Sequence, residues 1–243
     1  MMAPPPFGDL PAGEFAAISA DPPWHFRAYT ALTKSNWVSR RDAEKHYPVL
    51  GLEDIKAMPV KALAARNTHL FLWVTGPCLP KAFEVMEAWG FRYSGVAFTW
   101  IKLKKSFDAN AATLLPPFYF DSDFHTGLGL TTRKNAEICL LGRRGSPKRL
   151  SREVRELIIA PRREHSRKPE EAYDRIMQYG SGPYLELFAR QRRAGWSSWG
   201  NQVGHFAHNG AHISAPVLAK ERPITAIMDE IGERIREGLL ECP

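Results

Sequence analysis

One rhythm constrains this chain more than anything else in it: short continuous apolar runs alternate with helical patterns. The runs lie at Phe15–Ala20, His69–Thr75, Gly95–Leu103, Ala136–Gly142, Leu157–Ile159 and Pro183–Ala189, with a weaker one at Gly195–Trp199. Most are apolar throughout rather than every second residue. Strands buried on both faces of a parallel sheet look like this. Helical periodicity falls between them. Leu52–Ala57 follows Gly51 and leads into Val60–Ala65. Pro80–Trp89 opens on a proline at the first helical position and stops before Gly90. Pro169–Tyr179 carries Glu170 and Glu171 in its first turn, with Gly180 beyond its end. A last helix is expected at Ile224–Leu240. Strands separated by helices predict an α/β doubly wound sheet. A chain of 243 residues suits one such domain and can bury its core without staples.

Other classes are excluded by what the chain lacks. Its cysteines, Cys78, Cys139 and Cys242, form no CxxC pair, so neither a zinc ribbon nor a disulfide scaffold is expected. Residues 1–10 contain three consecutive prolines and no apolar core, unlike a signal peptide, and no run approaches a membrane span. A cytoplasmic protein is expected. His205, His208 and His212 fall in a polar tail, where a solvated linker is the simpler account than a metal site. The net charge is +7, and it is concentrated. Residues 133–193 hold 16 Lys/Arg against 8 Asp/Glu, while the rest holds 17 against 18. Arg143, Arg144, Lys148, Arg149, Arg152, Arg155, Arg162, Arg163 and Arg167 are dense enough to suggest phosphate contacts.

The sharpest local feature is Ala20-Asp21-Pro22-Pro23-Trp24, directly after the first apolar run. Proline cannot donate to a ladder, so the strand must stop there. The residue before each proline is pushed toward extended geometry. A stiff turn results, with the Pro22 carbonyl free to accept and the Asp21 carboxylate beside it as a second acceptor. Two acceptors and a following ring suit a planar base with an exocyclic amino group. The amine would give its hydrogens to Asp21 and the Pro22 carbonyl, leaving its lone pair out of the ring plane. Trp24 would stack on or wall the base. The plainer account is a strand-ending turn with a capping aspartate and a buried tryptophan. The carboxyl ends of strands are where open α/β sheets bind ligands. Two long segments, 25–48 and 104–133, interrupt the alternation and read as functional loops.

The Asp-Pro-Pro-Trp string resembles the catalytic motif of amino methyltransferases, and more closely that of the adenine-N6 methyltransferase family named for the mRNA adenosine methyltransferase catalytic subunit (MT-A type). Further segments agree in order: Leu70–Thr75, Thr99–Lys102, Asn135–Gly142, Ser166–Glu171, Glu186–Arg190 and Gly200–Gln202. Together they span roughly residues 15 to 202. The resemblance implies a Rossmann-like, S-adenosylmethionine-dependent methyltransferase fold of permuted order, with the catalytic motif before the cofactor half. This would explain why no GxGxxG is present; Gly127-Leu128-Gly129 is a weak GxG in a loop.

Carried over residue by residue, the resemblance places catalysis on Asp21, Pro22, Pro23 and Trp24. It places the cofactor on Asp21, Lys168, Glu186, Leu187, Phe188, Arg190, Asn201 and Gln202, with Lys168 reaching the methionine carboxylate. Tyr47, Trp100, Lys102 and Lys104 become candidate substrate contacts, and no metal is called for. Glu186 also stands out by itself, as a carboxylate inside an apolar strand that needs a partner, whether ribose hydroxyls or Arg190. The expected domain covers 1–202, followed by a linker and helix at 203–243. The expected activity is methylation of adenine N6 in DNA, single-stranded or with the adenine flipped from the duplex. The same chemistry on RNA, or a silent nucleic-acid-binding subunit, are the alternatives.

Overall fold

A computed structural model describes residues 2, 4, 6–24, 50–107, 121–127, 132–164, 167–201 and 203. The expected helix at Ile224–Leu240, the three tail histidines, Tyr47, Gln202 and most of both long loops lie outside the described residues. Seven strands form one sheet: β1 Phe15–Ala20, β2 Ala64–Val74, β3 Arg92–Leu103, β4 Ala136–Arg144, β5 Leu157–Pro161, β6 Tyr184–Leu187 and β7 Trp196–Trp199. Their order is β5-β3-β4-β2-β1-β6-β7. Four helices accompany them: α1 Leu52–Ala57, α2 Val60–Leu63, α3 Leu79–Ala88 and α4 Glu170–Tyr179.

Every apolar run expected to be a strand is one. The sheet is mostly parallel, as expected, but β4 runs antiparallel to both β2 and β3 while the other pairs are parallel. A run that is apolar on both faces has no intrinsic direction, so its sequence could not reveal the reversal. The expected Val60–Ala65 helix also ends early, at Leu63. The Arg144 guanidinium takes the Lys61 and Ala64 carbonyls at 2.6 and 3.0 Å, and Ala64 pairs with Phe15 as the first residue of β2. Between Phe15 and Ala17 the register slips, and the Thr68 hydroxyl donates to the Phe15 carbonyl at 2.9 Å.

Strand alternation sorts the core into two layers. On one face Ile18, Ala20, Leu70, Leu72, Leu185 and Leu187 pack with α1, α2 and α3 through Ile55, Leu63, Val85 and Met86. On the other, Ala17, Phe71, Trp73, Phe98, Trp100, Cys139 and Ile158 pack with α4 through Ala172, Tyr173 and Ile176. Several polar ends inside these layers are satisfied. The Trp89 indole donates to the Ile55 carbonyl at 2.8 Å, and Trp100 to the Ala160 carbonyl at 3.0 Å. Past the register slip, Ala17 of β1 faces α4, as do Phe98 and Trp100 of β3 and Tyr184 of β6. Continued past the strand ends, that alternation decides which side chains can meet.

Candidate active site

The carboxyl ends of β1, β2, β3, β6 and β7, and the start of β4, share one edge of the sheet. Asp21 follows β1 on the α4 side. Lys168 precedes α4, and its ammonium bridges the Asp21 carboxylate at 2.6 Å and the Glu137 carboxylate at 3.1 Å. Glu137, at the head of β4, also binds the Lys102 ammonium from β3. The Lys102 ammonium lies 4.9 Å from the Trp100 ring centre, and Lys168 lies 5.4 Å from that of Trp73. Four charges of alternating sign, Asp21, Lys168, Glu137 and Lys102, thus cross the site edge in a row.

Burial and charge set the protonation of this row. Burial pushes the Asp21 carboxyl above its ordinary value, and Lys168 opposes the push. Burial would raise Glu137 too, but Lys168 and Lys102 outweigh it and hold the carboxyl at about 2. Burial alone would lower Lys168; its two carboxylates leave it above the usual lysine range. Lys168 spends two of its three N–H donors on Asp21 and Glu137, so one remains for a ligand.

Beside the row lies an open pocket lined by Asp21, Lys168, Tyr173, Glu186 and Phe188 with Arg167, Arg190, Gln191 and Arg193. Glu186 is buried there, 9% exposed. The Tyr173 hydroxyl donates to its Oε1 at 2.6 Å, while Oε2 is buried with no hydrogen-bond partner. An orphaned carboxylate oxygen costs on the order of 1–3 kcal/mol. Hydroxyl donors on a ligand would satisfy it. Burial pushes the Glu186 carboxyl up; the bond from Tyr173 and the charge of Arg193 restrain it. Tyr173 is itself held from above by Arg193, stacked 3.6 Å from its ring centre and ion-paired with Glu170. The partner of Glu186 is therefore Tyr173, where the sequence offered Arg190.

After β6 the chain turns at Phe188, which has φ +62°, in the left-handed region that non-glycine residues rarely adopt. The turn closes against Gly200: the Ala189 amide donates to the Trp199 carbonyl at 2.9 Å, and a Cβ on Gly200 would stand 2.5 Å from the Ala189 oxygen. The glycine that a cofactor turn ordinarily carries in its own loop is here supplied from the end of the next strand. Asn201 follows it and is exposed.

Several expected site residues are placed differently from the expectation. Trp24 is buried, 4% exposed, and its indole donates to the Trp73 carbonyl at 2.9 Å. It supports the turn from within the core, and the plainer account of it holds. The Pro22 carbonyl is not free. It accepts the Trp24 amide at 2.8 Å and keeps one lone pair. Pro23 uses its carbonyl on the Leu50 amide. Leu187 is fully buried on the α1–α3 face, because alternation points it away from Glu186. Trp100 is 3% exposed and pinned to Ala160, so Lys102 covers it where a base was expected. Lys104 is exposed just beyond β3, its amide bound to the Asp123 carbonyl. Glu137, Tyr173 and Arg193 were missed as site residues. Glu137 had a signal: like Glu186, it is a carboxylate embedded in an apolar strand.

A twisted, mostly parallel sheet between helical layers, with an acidic strand end, a buried cation and an orphaned carboxylate along its carboxyl edge, defines a Rossmann-like methyltransferase domain. Comparison with known proteins refines this. The chain belongs to the MT-A70 family, whose profile matches residues 15–202. It is 29% identical over 210 residues to the type II methyltransferase M.MunI of a Mycoplasma species, covering 81% of each protein. It is 30% identical to a Medicago truncatula putative N(6)-adenosine-methyltransferase MT-A70-like protein, over 79% of this chain and 27% of the plant protein. It is 26% identical to the human N(6)-adenosine-methyltransferase catalytic subunit METTL3, over 95% of this chain and 33% of METTL3.

Proposed function

We propose that this chain transfers a methyl group from S-adenosylmethionine to the N6 amino group of adenine in DNA. The observation that carries the proposal is the Asp21 carboxylate. Lys168 holds one of its oxygens, Asp21 lines the pocket, and the Pro22 carbonyl beside it keeps a lone pair. Two fixed acceptors on an amine's hydrogens orient the nitrogen lone pair toward an electrophile. S-adenosylmethionine, when bound, supplies the electrophilic methyl group. The residues present suit that cofactor: Glu186 Oε2 lacks a donor that ribose hydroxyls would provide, Lys168 retains an N–H for a carboxylate, and the Phe188–Gly200 turn brings backbone close to the pocket.

The chain contributes position and charge. Lys168 anchors Asp21 from behind, and Glu137 and Lys102 hold Lys168. Tyr173 fixes the Glu186 rotamer. Trp24 stiffens the turn through Trp73. Catalysis on this account is orientation of the amine for in-line attack, with no covalent enzyme intermediate. The target base must leave its stack to reach the turn.

The choice of DNA follows the relative matched over most of both chains, the type II methyltransferase, rather than the adenosine methyltransferases, of which this chain spans a third or less. The N(6)-adenosine-methyltransferase activity for which those larger proteins are named supports RNA as the second reading. Methyl-labelled S-adenosylmethionine supplied with single-stranded DNA, duplex DNA and RNA, followed by nucleoside analysis, tests the proposal. Label in N6-methyladenine from DNA is expected. Label in cytosine or protein overturns the adenine assignment, and full activity of Asp21→Ala overturns the site.

A further inference from the structure

The surplus of basic residues between 133 and 193 does not form one surface, because β4 is reversed. β4 carries the chain away from the site edge: Arg144 pairs opposite Thr68 and Arg143 opposite His69, toward the amino end of β2. Arg144 is then consumed on the Lys61 and Ala64 carbonyls, and the exposed Lys148, Arg149 and Arg152 follow on the connection from that far edge. β5 brings the chain back, parallel to β3, and delivers Arg162 to the site edge.

There two segments are pinned onto the end of β3 from opposite sides. The Arg162 amide donates to the Leu103 carbonyl at 3.0 Å. The His125 amide donates to the Lys102 carbonyl, and the Lys104 amide to the Asp123 carbonyl, both at 2.8 Å. These backbone bonds set the Arg162 guanidinium 3.3 Å from His125 Nε2. A guanidinium can only donate, so Nε2 is the acceptor and the imidazole proton sits on Nδ1. Burial, Arg162 and Lys102 all keep that ring from charging. Glu137, the carboxylate bound to Lys102, is shared with Lys168 and stays with the catalytic row. The pair therefore offers a charged guanidinium and an imidazole N–H, with the exposed Lys104 on the same strand end.

We propose that Arg162 and His125 form a phosphate-binding site that grips the DNA backbone near the methylated base. The inference rests on the nucleic-acid reading above and adds to it where the strand lies. β3 is three strand positions from β1, at least ~14 Å at the usual interstrand spacing. That span is longer than one nucleotide step, so a phosphate a few nucleotides from the flipped adenine reaches the pair while the base is at Asp21.

The test is fluorescence polarisation with a labelled, adenine-containing single-stranded DNA across a salt series. It compares wild type, Arg162→Ala, His125→Ala and the double variant Arg149→Ala/Arg152→Ala. Arg162→Ala is expected to weaken binding about tenfold and to lower the salt slope by ~0.7, the signature of one lost single-strand phosphate contact. His125→Ala weakens it less. Arg149→Ala/Arg152→Ala leaves both affinity and slope unchanged. Unchanged melting temperature and unchanged S-adenosylhomocysteine affinity of Arg162→Ala show that fold and cofactor pocket are intact. Wild-type DNA binding that survives Arg162→Ala, or that falls only in the Arg149/Arg152 variant, overturns the site and leaves the methylation reading standing. Wild type that neither binds nor methylates DNA overturns that reading itself.

Discussion

Replacing Lys168 with methionine should cost stability in a way that depends on pH, and the size of the effect follows from Glu137. In the folded protein Glu137 sits at about 2, against an ordinary 4.5, because Lys168 and Lys102 outweigh its burial. A displacement of that size corresponds to about 3 kcal/mol at 1.36 kcal/mol per pH unit. The sign is fixed by linkage. A carboxylate depressed in the native state stabilises the fold fully above ~4.5 and loses that contribution as pH falls toward 2. Lys168→Met removes one of its two cations and leaves Asp21 and Glu137 facing each other without the ion between them. Breaking a buried pair from one side costs ~3–5 kcal/mol. At ~2–4 °C per kcal/mol for a chain of this size, a loss of about 3 kcal/mol lowers the Tm by ~6–12 °C at pH 7. Calorimetric scans from pH 8 to pH 3 read this directly. The gap between wild type and variant should hold from pH 8 to ~5 and shrink below, as the stranded carboxylates take up protons. Adding Glu137→Gln to Lys168→Met should recover part of the lost stability while methylation stays absent. A gap below ~2 °C at pH 7, or one that does not change with pH, would refute the claim that this row of charges is a coupled unit.

Three further outcomes are expected. Tyr173→Phe removes the hydroxyl that donates to Glu186 and should weaken S-adenosylhomocysteine binding by calorimetry about tenfold, with a Tm loss of a few degrees, since a hydrogen bond to a charged group contributes ~1.5–3 kcal/mol; unchanged affinity would remove Tyr173 from any positioning role. Gly200→Ala should do worse, because its Cβ meets the Ala189 backbone, which cannot swing aside as a side chain would; cofactor affinity is expected to fall while secondary structure by circular dichroism is kept, and wild-type affinity would show that the turn tolerates the shift. His69 is buried beside Tyr179 and Arg143 and sits at about 4, so it stays neutral in the fold while the unfolded chain binds a proton below ~6.5. Wild type should therefore lose up to about 3 kcal/mol between pH 6.5 and 4, and His69→Gln should flatten that slope; equal slopes in urea titrations of the two would contradict it.

Much of the fold was legible because burial on both faces writes a continuous apolar run, and each such run became a strand. Direction was not legible, since β4 is apolar whichever way it points. The turn after β1 was legible from Asp21, Pro22 and Pro23, whose backbone restrictions act locally. Trp24 was not, because a tryptophan after a turn can face a ligand or the core, and only the Trp73 carbonyl decided it. Glu186 announced itself as a carboxylate inside an apolar strand, and Lys168 was legible only through the family resemblance. Their actual partners, Glu137 and Tyr173, lie on other elements, and Tyr173 looked like any apolar position of an amphipathic helix. Arg162 was visible only as one of nine basic residues. The sheet order separates it from its sequence neighbours.

The first residues of the chain are tied to the turn after β6 through a short stack of rings. The Trp199 indole donates to the Pro6 carbonyl at 3.2 Å, Phe7 meets Trp199 edge-on at 4.8 Å, and Trp199 meets Phe188 at 5.8 Å. Phe188 is the residue held in the left-handed turn. Trimming the chain past Phe7, or a protease nick before Phe15, would therefore loosen a turn almost two hundred residues away in sequence. A preparation clipped in this way would keep its sheet and helices while the Phe188 turn beside the pocket loosens. Intact mass should accordingly be checked before a low-activity sample is ascribed to the wrong substrate.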